Sequence, residues 1–193
     1  MAWGRNGSGQ TTIPKGFTNV KSVTIGSNHI YVLKNDGTFE AWGQNIYNQL
    51  KIPSNLNNVK EVVATYGGGA ALLNDGKVVT FRDYGNSPYV NMPSGLTDVK
   101  QICAGIDHYV ALKNSGEVVA WGENYAGQVD VPVGLTDVVK IFTHDGYTFA
   151  IKSNGDLVGW GSEAGVPVDF PTNITGLRDM SLAPFNTIAL KED

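Results

Sequence analysis

Residues 118–132 read VVAWGENYAGQVDVP. A β-branched run leads into Trp121-Gly122, a polar segment follows, and a short apolar stretch ends at Pro132. The same phrase stands at residues 2–14 as AWGRNGSGQTTIP and at 41–53 as AWGQNIYNQLKIP. Trp3, Trp42, Phe81, Trp121 and Trp160 lie 39, 39, 40 and 39 residues apart. Pro14, Pro53, Pro93, Pro132 and Pro171 keep the same beat, as do Val20, Val59, Val99, Val138 and Leu177. Self-similarity at a fixed period of about 40 residues marks a repeat architecture. Five units account for residues 1–193 as a single domain, and the extra residue of the third falls between Phe81 and Pro93.

Each unit has the grammar of short strands. In the fourth, VKQICAG is strand A, HYVALKN strand B, EVVAWG strand C and QVDVP strand D. Strands B and C are joined by Asn114-Ser115-Gly116, matched by Asn35-Asp36-Gly37, Asn74-Asp75-Gly76 and Ser153-Asn154-Gly155. Asn and Gly accept the positive φ that tight hairpins need. No stretch keeps a helical period. Four short strands per unit predict an all-β propeller of five blades, each of four antiparallel strands. The chain opens on a C–D pair and closes on an A–B pair, so one blade is shared between the N- and C-termini. Pairing of these ends would remove two sheet edges and give a closed monomeric ring. A dimer of open arcs is the alternative.

Composition narrows the function classes. A formal net charge of −4 disfavours nucleic acid, which is bound by displacing phosphate counterions with basic side chains. No apolar run is long enough to span a membrane. The start MAWGRNGSGQ has no secretory character, so a cytoplasmic location is favoured. The lone Cys103 lies in an apolar strand and reads as a buried, inert thiol.

Residues 95–132, GLTDVKQICAGIDHYVALKNSGEVVAWGENYAGQVDVP, carry a family resemblance. Ala104-Gly105 with His108, Ala111-Leu112-Lys113, Trp121-Gly122 with Asn124, and Gly127-Gln128 together resemble the regulator-of-chromosome-condensation repeat. The compact unit is most similar to the bacterial branch that includes beta-lactamase inhibitory protein II. The resemblance implies a propeller, typically of seven blades, that binds other proteins. For the eukaryotic name-bearer it implies guanine-nucleotide exchange, although no inserted wedge is visible here.

Positions that recur in every unit answer a packing demand. The tryptophans are therefore expected between blades, and His29 and His108 are expected to satisfy local backbone groups. Function is sought where units differ, in the A–B and C–D loops, which share one rim. That rim gathers Tyr47, Tyr66, Tyr84, Tyr89, Tyr125 and Phe185 with Asp83, Asp107, Glu123, Asp145 and Glu163, and Arg5 and Arg82 as cations. Tyrosine offers large contact area at low entropic cost, so aromatics interspersed with acids suit a protein-binding surface. The third unit, with Tyr66, Arg82, Asp83, Tyr84 and Tyr89, is the expected contact centre. No nucleophile elbow, phosphate loop or metal-ligand spacing is present, so neither catalysis nor a cofactor or metal is expected. The sequence thus predicts a non-catalytic binding module, with an inhibitory role among its expected uses. Capture of a sugar or nucleotide is the second reading, but five equivalent sugar sites would need the same loop residues repeated.

Overall fold

The computed structural model describes residues 1–54, 56–81, 92–163, 166–167, 174–183 and 186–191. They fall into two compact units, Met1–Val90 and Asn91–Asp193. The first holds two antiparallel sheets, β1(Val20–Ile25)-β2(His29–Lys34)-β3(Phe39–Gly43) and β4(Val59–Ala64)-β5(Gly69–Leu73)-β6(Val78–Phe81). The second holds three. They are β7(Val99–Ala104)-β8(His108–Lys113)-β9(Val118–Gly122), then β10(Val138–His144)-β11(Tyr147–Lys152)-β12(Leu157–Glu163)-β13(Val166–Pro167), then β14(Leu177–Ala183)-β15(Asn186–Lys191). Among the described residues no helix is long and apolar enough to cross a membrane. Strands A, B and C of the sequence pattern are these strands in order, and the five sheets are the blades of a β-propeller fold.

Each sheet starts the same way. An Asn or Asp with positive φ (Asn19, Asn58, Asp98, Asp137) precedes the first strand, where Gly176 stands in the last sheet. The carbonyls of these four accept from the backbone N–H of Asn35, Asn74, Asn114 and Ser153, which ties strand entry to the B–C turn. Asn and Asp tolerate this left-handed conformation better than other residues with a side chain. One residue further on, every first strand carries a bulge, between Val20 and Ser22 in β1 and at the matching place in β4, β7, β10 and β14. The extra twist of a bulge suits blades that must fan around an axis.

Strand D is the main departure from the sequence reading. Among the described residues it is formed only as β13, and residues 46–50 and 125–129 turn instead. The cause lies in two side chains. Asn45 Oδ1 accepts from the backbone N–H of Leu50 (2.9 Å) and Gln49 Oε1 from that of Tyr47 (2.8 Å). Asn124 and Gln128 do the same with Val129 (3.2 Å) and Ala126 (2.8 Å). Asn6 and Gln10 repeat the pair with Thr11 and Ser8, both at 2.9 Å. Side chains that satisfy backbone groups locally compete with strand pairing.

The core forms where one sheet faces the next. Tyr31, Leu33 and Phe39 pack against Val59, Val62, Ala71 and Phe81 in the first unit. Val110, Leu112 and Val118 pack against Val138, Ile141, Ala150 and Trp160 in the second. Trp121 and Trp160 are buried and Trp42 is half-buried, as expected of residues between blades. Trp3 is not: it is 85 % exposed, and residues 1–19 contain no strand.

Candidate functional site

Strand register decides which loops share an edge. His29 stands opposite Gly43, Gly69 opposite Phe81, His108 opposite Gly122, and Tyr147 opposite Gly161. The A–B turn and the segment after strand C therefore leave each of these sheets side by side. Backbone bonds stitch the two together: Gln44 N–H to Asn28 C=O at 2.8 Å, and Glu123 N–H to Asp107 C=O at 2.9 Å. Gly122 makes that approach possible. It has φ 118°, and a Cβ there would lie 2.7 Å from the Asp107 carbonyl oxygen.

The first and the third sheet each have a buried polar floor beneath their own loop edge. His29 and His108 have no exposed surface, and a Cβ on Gly26 or Gly105 would fall 2.2 Å from the imidazole Cε1. The expectation that these rings satisfy local backbone groups is not met. His108 Nε2 reaches Thr148 Oγ1 of the next sheet at 3.0 Å, and that hydroxyl donates to the Gln128 carbonyl, also at 3.0 Å. The threonine proton is thus committed, so His108 donates from Nε2. Burial lowers the His108 pKa to about 4. Burial also lowers that of His29, with the Gly68 backbone pulling weakly the other way. Both rings are neutral structural elements at pH 7.

Above the floor, the first unit is aromatic. Tyr47 and Tyr66 meet with ring centroids 6.3 Å apart, Tyr47 half-buried and Tyr66 40 % exposed. Gly67 lets them sit so close to the backbone, since a Cβ there would meet Tyr47 Cδ2 at 2.9 Å. Ile46, exposed beside Tyr47, extends this apolar surface and was not singled out from the sequence. Its signal was its loop position between the fixed Asn45 and Gln49.

The second unit is acidic. Asp107 and Glu123 are joined through their backbones, and the Ile106 N–H donates to the Asp145 carbonyl at 3.0 Å, which brings the turn at 144–146 alongside. The Asp145 carboxylate lies 3.3 Å from His144 Nε2. Tyr125 stands 68 % exposed on the loop between Asn124 and Gln128. Ile106, also exposed, again escaped the sequence reading. Of the remaining expected site residues, Arg82, Asp83, Tyr84, Tyr89 and Phe185 lie outside the described residues.

The opposite edge differs in kind. Its charges are engaged locally: Lys34 with Glu40, Lys77 with Asp75 at 2.7 Å, and Lys113 with Glu117 at 2.9 Å. Asp36 accepts from both Thr38 Oγ1 and the Thr38 N–H, which holds its carboxyl below the usual range. Cys103 is half-buried, and its thiol donates to the Ile141 carbonyl at 3.1 Å. Among the described residues no group of three His, Cys, Asp or Glu is placed to hold a metal ion.

Comparison with known proteins follows the same lines. Residues 99–128 match the Regulator of chromosome condensation (RCC1) repeat. No curated protein matches the chain in sequence. Among solved structures, the chain is similar to the ectodomain of the Physcomitrella patens receptor kinase CR4. That match has a TM-score of 0.75 and 21% identity, over 98% of this chain and 52% of that one. Human WBSCR16 matches with a TM-score of 0.71 and 16% identity, over 89% and 60%. Prp20p from Saccharomyces cerevisiae matches with 0.69 and 19%, over 93% and 57%. The chain thus spans about half to three-fifths of the length of these relatives. It carries a regulator-of-chromosome-condensation repeat on a β-propeller fold.

Proposed function

We propose that this chain is a non-catalytic protein-binding propeller that grips its partner with the edge formed by the A–B and C–D loops. One observation carries the reading. The side chains that differ between units (Ile46, Tyr47, Tyr66, Ile106 and Tyr125) project from loops pinned by buried Gln and His residues. On the other edge Lys34, Lys77 and Lys113 are engaged in local pairs. Rigidly mounted aromatic and aliphatic groups lose little entropy on binding, which is what a contact surface needs. Among structural relatives, Prp20p supports the reading: its binding to Gsp1p and histones has been studied, and it is bound by Kap60. The Asp107, Glu123 and Asp145 patch favours a partner with basic residues facing the second unit. The likeness to the compact bacterial branch makes an enzyme the first partner class to test, with inhibition by occlusion of its substrate entrance.

The test is capture from an extract of the source organism with the immobilised chain, followed by titration of the purified partner. Tyr47→Ala with Tyr66→Ala, and separately Tyr125→Ala, are expected to weaken binding roughly 10- to 100-fold, a hot-spot effect. Lys113→Ala, on the opposite edge, should leave the affinity alone. Equal affinity for all of these variants would reject the loop edge as the contact surface.

A further inference from the structure

We propose that two copies of this chain associate head to tail. The bare face of β1 in one copy seats on the bare face of β15 in the other. Residues 2–4 of the first copy add to β15 of the second as a third strand.

The internal junctions supply the template. In β4, β10 and β14, the residues Val59 and Val62, Val138 and Ile141, and Leu177 and Met180 are all buried. Their counterparts in β1 are not: Val20 is 43 % and Val23 55 % exposed, and Ile25 at the end of the same strand is exposed as well. The other half of a junction comes from the second strand of a sheet, where Val110 and Leu112 pack on Val138 and Ile141. In β15 the corresponding Ile188 and Leu190 are 72 % and 55 % exposed. The molecule therefore presents both halves of an interface that it builds internally. Exposed apolar surface of this kind marks an interaction site.

Polar groups match as well. Across internal junctions Thr24 Oγ1 donates to the Val62 carbonyl at 2.8 Å, and Cys103 Sγ to the Ile141 carbonyl at 3.1 Å. The same position in β14 is Ser181, which is exposed. Its acceptor would be the carbonyl of Val23, the counterpart of Val62 and Ile141.

The strand edge completes the case. In each of the other sheets the second strand is central, whereas among the described residues β15 pairs with β14 alone. In three of the other four sheets a tryptophan of the third strand faces the second: Trp42 opposite Ile30, Trp121 opposite Tyr109, Trp160 opposite Thr148; in the fourth, Phe81 stands opposite Gly69. Thr187 is the counterpart in β15, and Trp3, exposed and outside any strand, is the counterpart tryptophan. The rest of the N-terminal segment already sits on the first sheet as a preceding loop would. Trp42 Nε1 donates to the Gln10 carbonyl at 3.0 Å, just as Trp160 Nε1 donates to that of Gln128. A sheet face carrying its own third strand is thus ready for a β14–β15 pair. A second copy supplies one by strand addition. The contact is heterologous, so each copy keeps one unused half.

Light scattering across micromolar to submillimolar concentrations tests this. Wild-type mass is expected to rise with concentration to at least twice the 20.7 kDa of one chain. The Trp3 contribution to fluorescence, obtained by difference against Trp3→Phe, should shift to the blue in parallel. Val23→Glu and Ile188→Glu each change an exposed residue and should each be monomeric with an unchanged circular dichroism spectrum. Mixed in equal amounts they are expected to form a dimer and stop there, because each retains the half that the other lacks. Three results would overturn the proposal. They are a monomer at all concentrations with Trp3 exposed, a mixture that stays monomeric, or a concentration-independent monomer in which Trp3 is already buried. The last would mean that the two faces close within one chain. Loss of partner binding in the loop-edge variants leaves all of these outcomes unchanged.

Discussion

Two junctions in this molecule meet the same demand with different side chains. Between β7–β9 and β10–β12, the Gln128 carbonyl accepts from Thr148 Oγ1 and from Trp160 Nε1, both at 3.0 Å. Between β1–β3 and β4–β6, the equivalent Gln49 carbonyl accepts from the Tyr31 hydroxyl at 2.7 Å. There the threonine is replaced by Gly69, the tryptophan by Phe81, and the valine at position 110 by Tyr31. These are one exchange rather than three. Phe81 has no N–H to donate, so the donor comes from Tyr31, and Gly69 makes room for the tyrosine ring. A Cβ on Gly69 would fall 2.5 Å from Phe81 Cε2 and 2.7 Å from Tyr31 Cε2. The Tyr31 and Phe81 rings meet edge to face at 5.1 Å, and His29 packs on Tyr31 at 4.8 Å. The comparison teaches that a break in a repeat pattern need not signal function. Phe81 departs from Trp because a neighbour changed with it.

Transplanting the second solution piecemeal into the first junction should have the largest effect. Gly69→Thr forces a branched side chain into occupied space, and overpacking of this kind costs about 3 kcal/mol. Urea unfolding should show a lower midpoint. Adding Tyr31→Val and Phe81→Trp rebuilds the other junction and is expected to recover most of the loss. A triple variant no more stable than Gly69→Thr alone would show that the three positions are not coupled.

Acid comes next, and it acts on both junctions with the same sign. Each histidine has a folded pKa below its unfolded value, so the unfolded chain binds more protons between the two. Stability from these groups is complete above about pH 6.5 and falls as pH drops toward the folded value near 4 for His108. By about pH 5 His108 alone should account for a loss of about 2 kcal/mol. Thermal or urea unfolding across this window checks the slope, and His108→Gln should flatten it. A slope that survives both His108→Gln and His29→Gln would place the proton uptake elsewhere.

The period, strands A to C of the expected four, and the rim were legible because they depend on spacing along one chain segment. A Trp-Gly every 39 or 40 residues sets the blade, and an Asn-Asp-Gly turn sets which loops share an edge. Strand D was misread because the apolar run QVDVP looks like a strand. The side chains of Asn124 and Gln128 claim the local backbone groups instead. Trp3 was misread for another reason: its burial depends on a neighbouring sheet, which a local pattern does not report. Tyr47 with Tyr66, and Asp107 with Glu123, do lie together on the loop edge. Ile46 and Ile106 were overlooked because attention to aromatics and acids passes over aliphatic residues in polar loops.

The smallest expected effect separates the two junctions most finely. Tyr31→Phe removes the hydroxyl that donates to Gln49, and a buried acceptor stripped of its donor costs about 1–3 kcal/mol. Thr148→Val removes one of the two donors to Gln128 and leaves Trp160 Nε1 in place. Its cost should therefore be smaller, about 1 kcal/mol, even though it also removes the acceptor for His108 Nε2. The difference should appear in urea midpoints measured at pH 7, where both histidines are neutral. Equal losses would mean that the tryptophan N–H does not compensate for the threonine. The second junction would then depend on its histidine–threonine–carbonyl chain as a whole, and the first, which has no such chain, would be the simpler solution to the same demand.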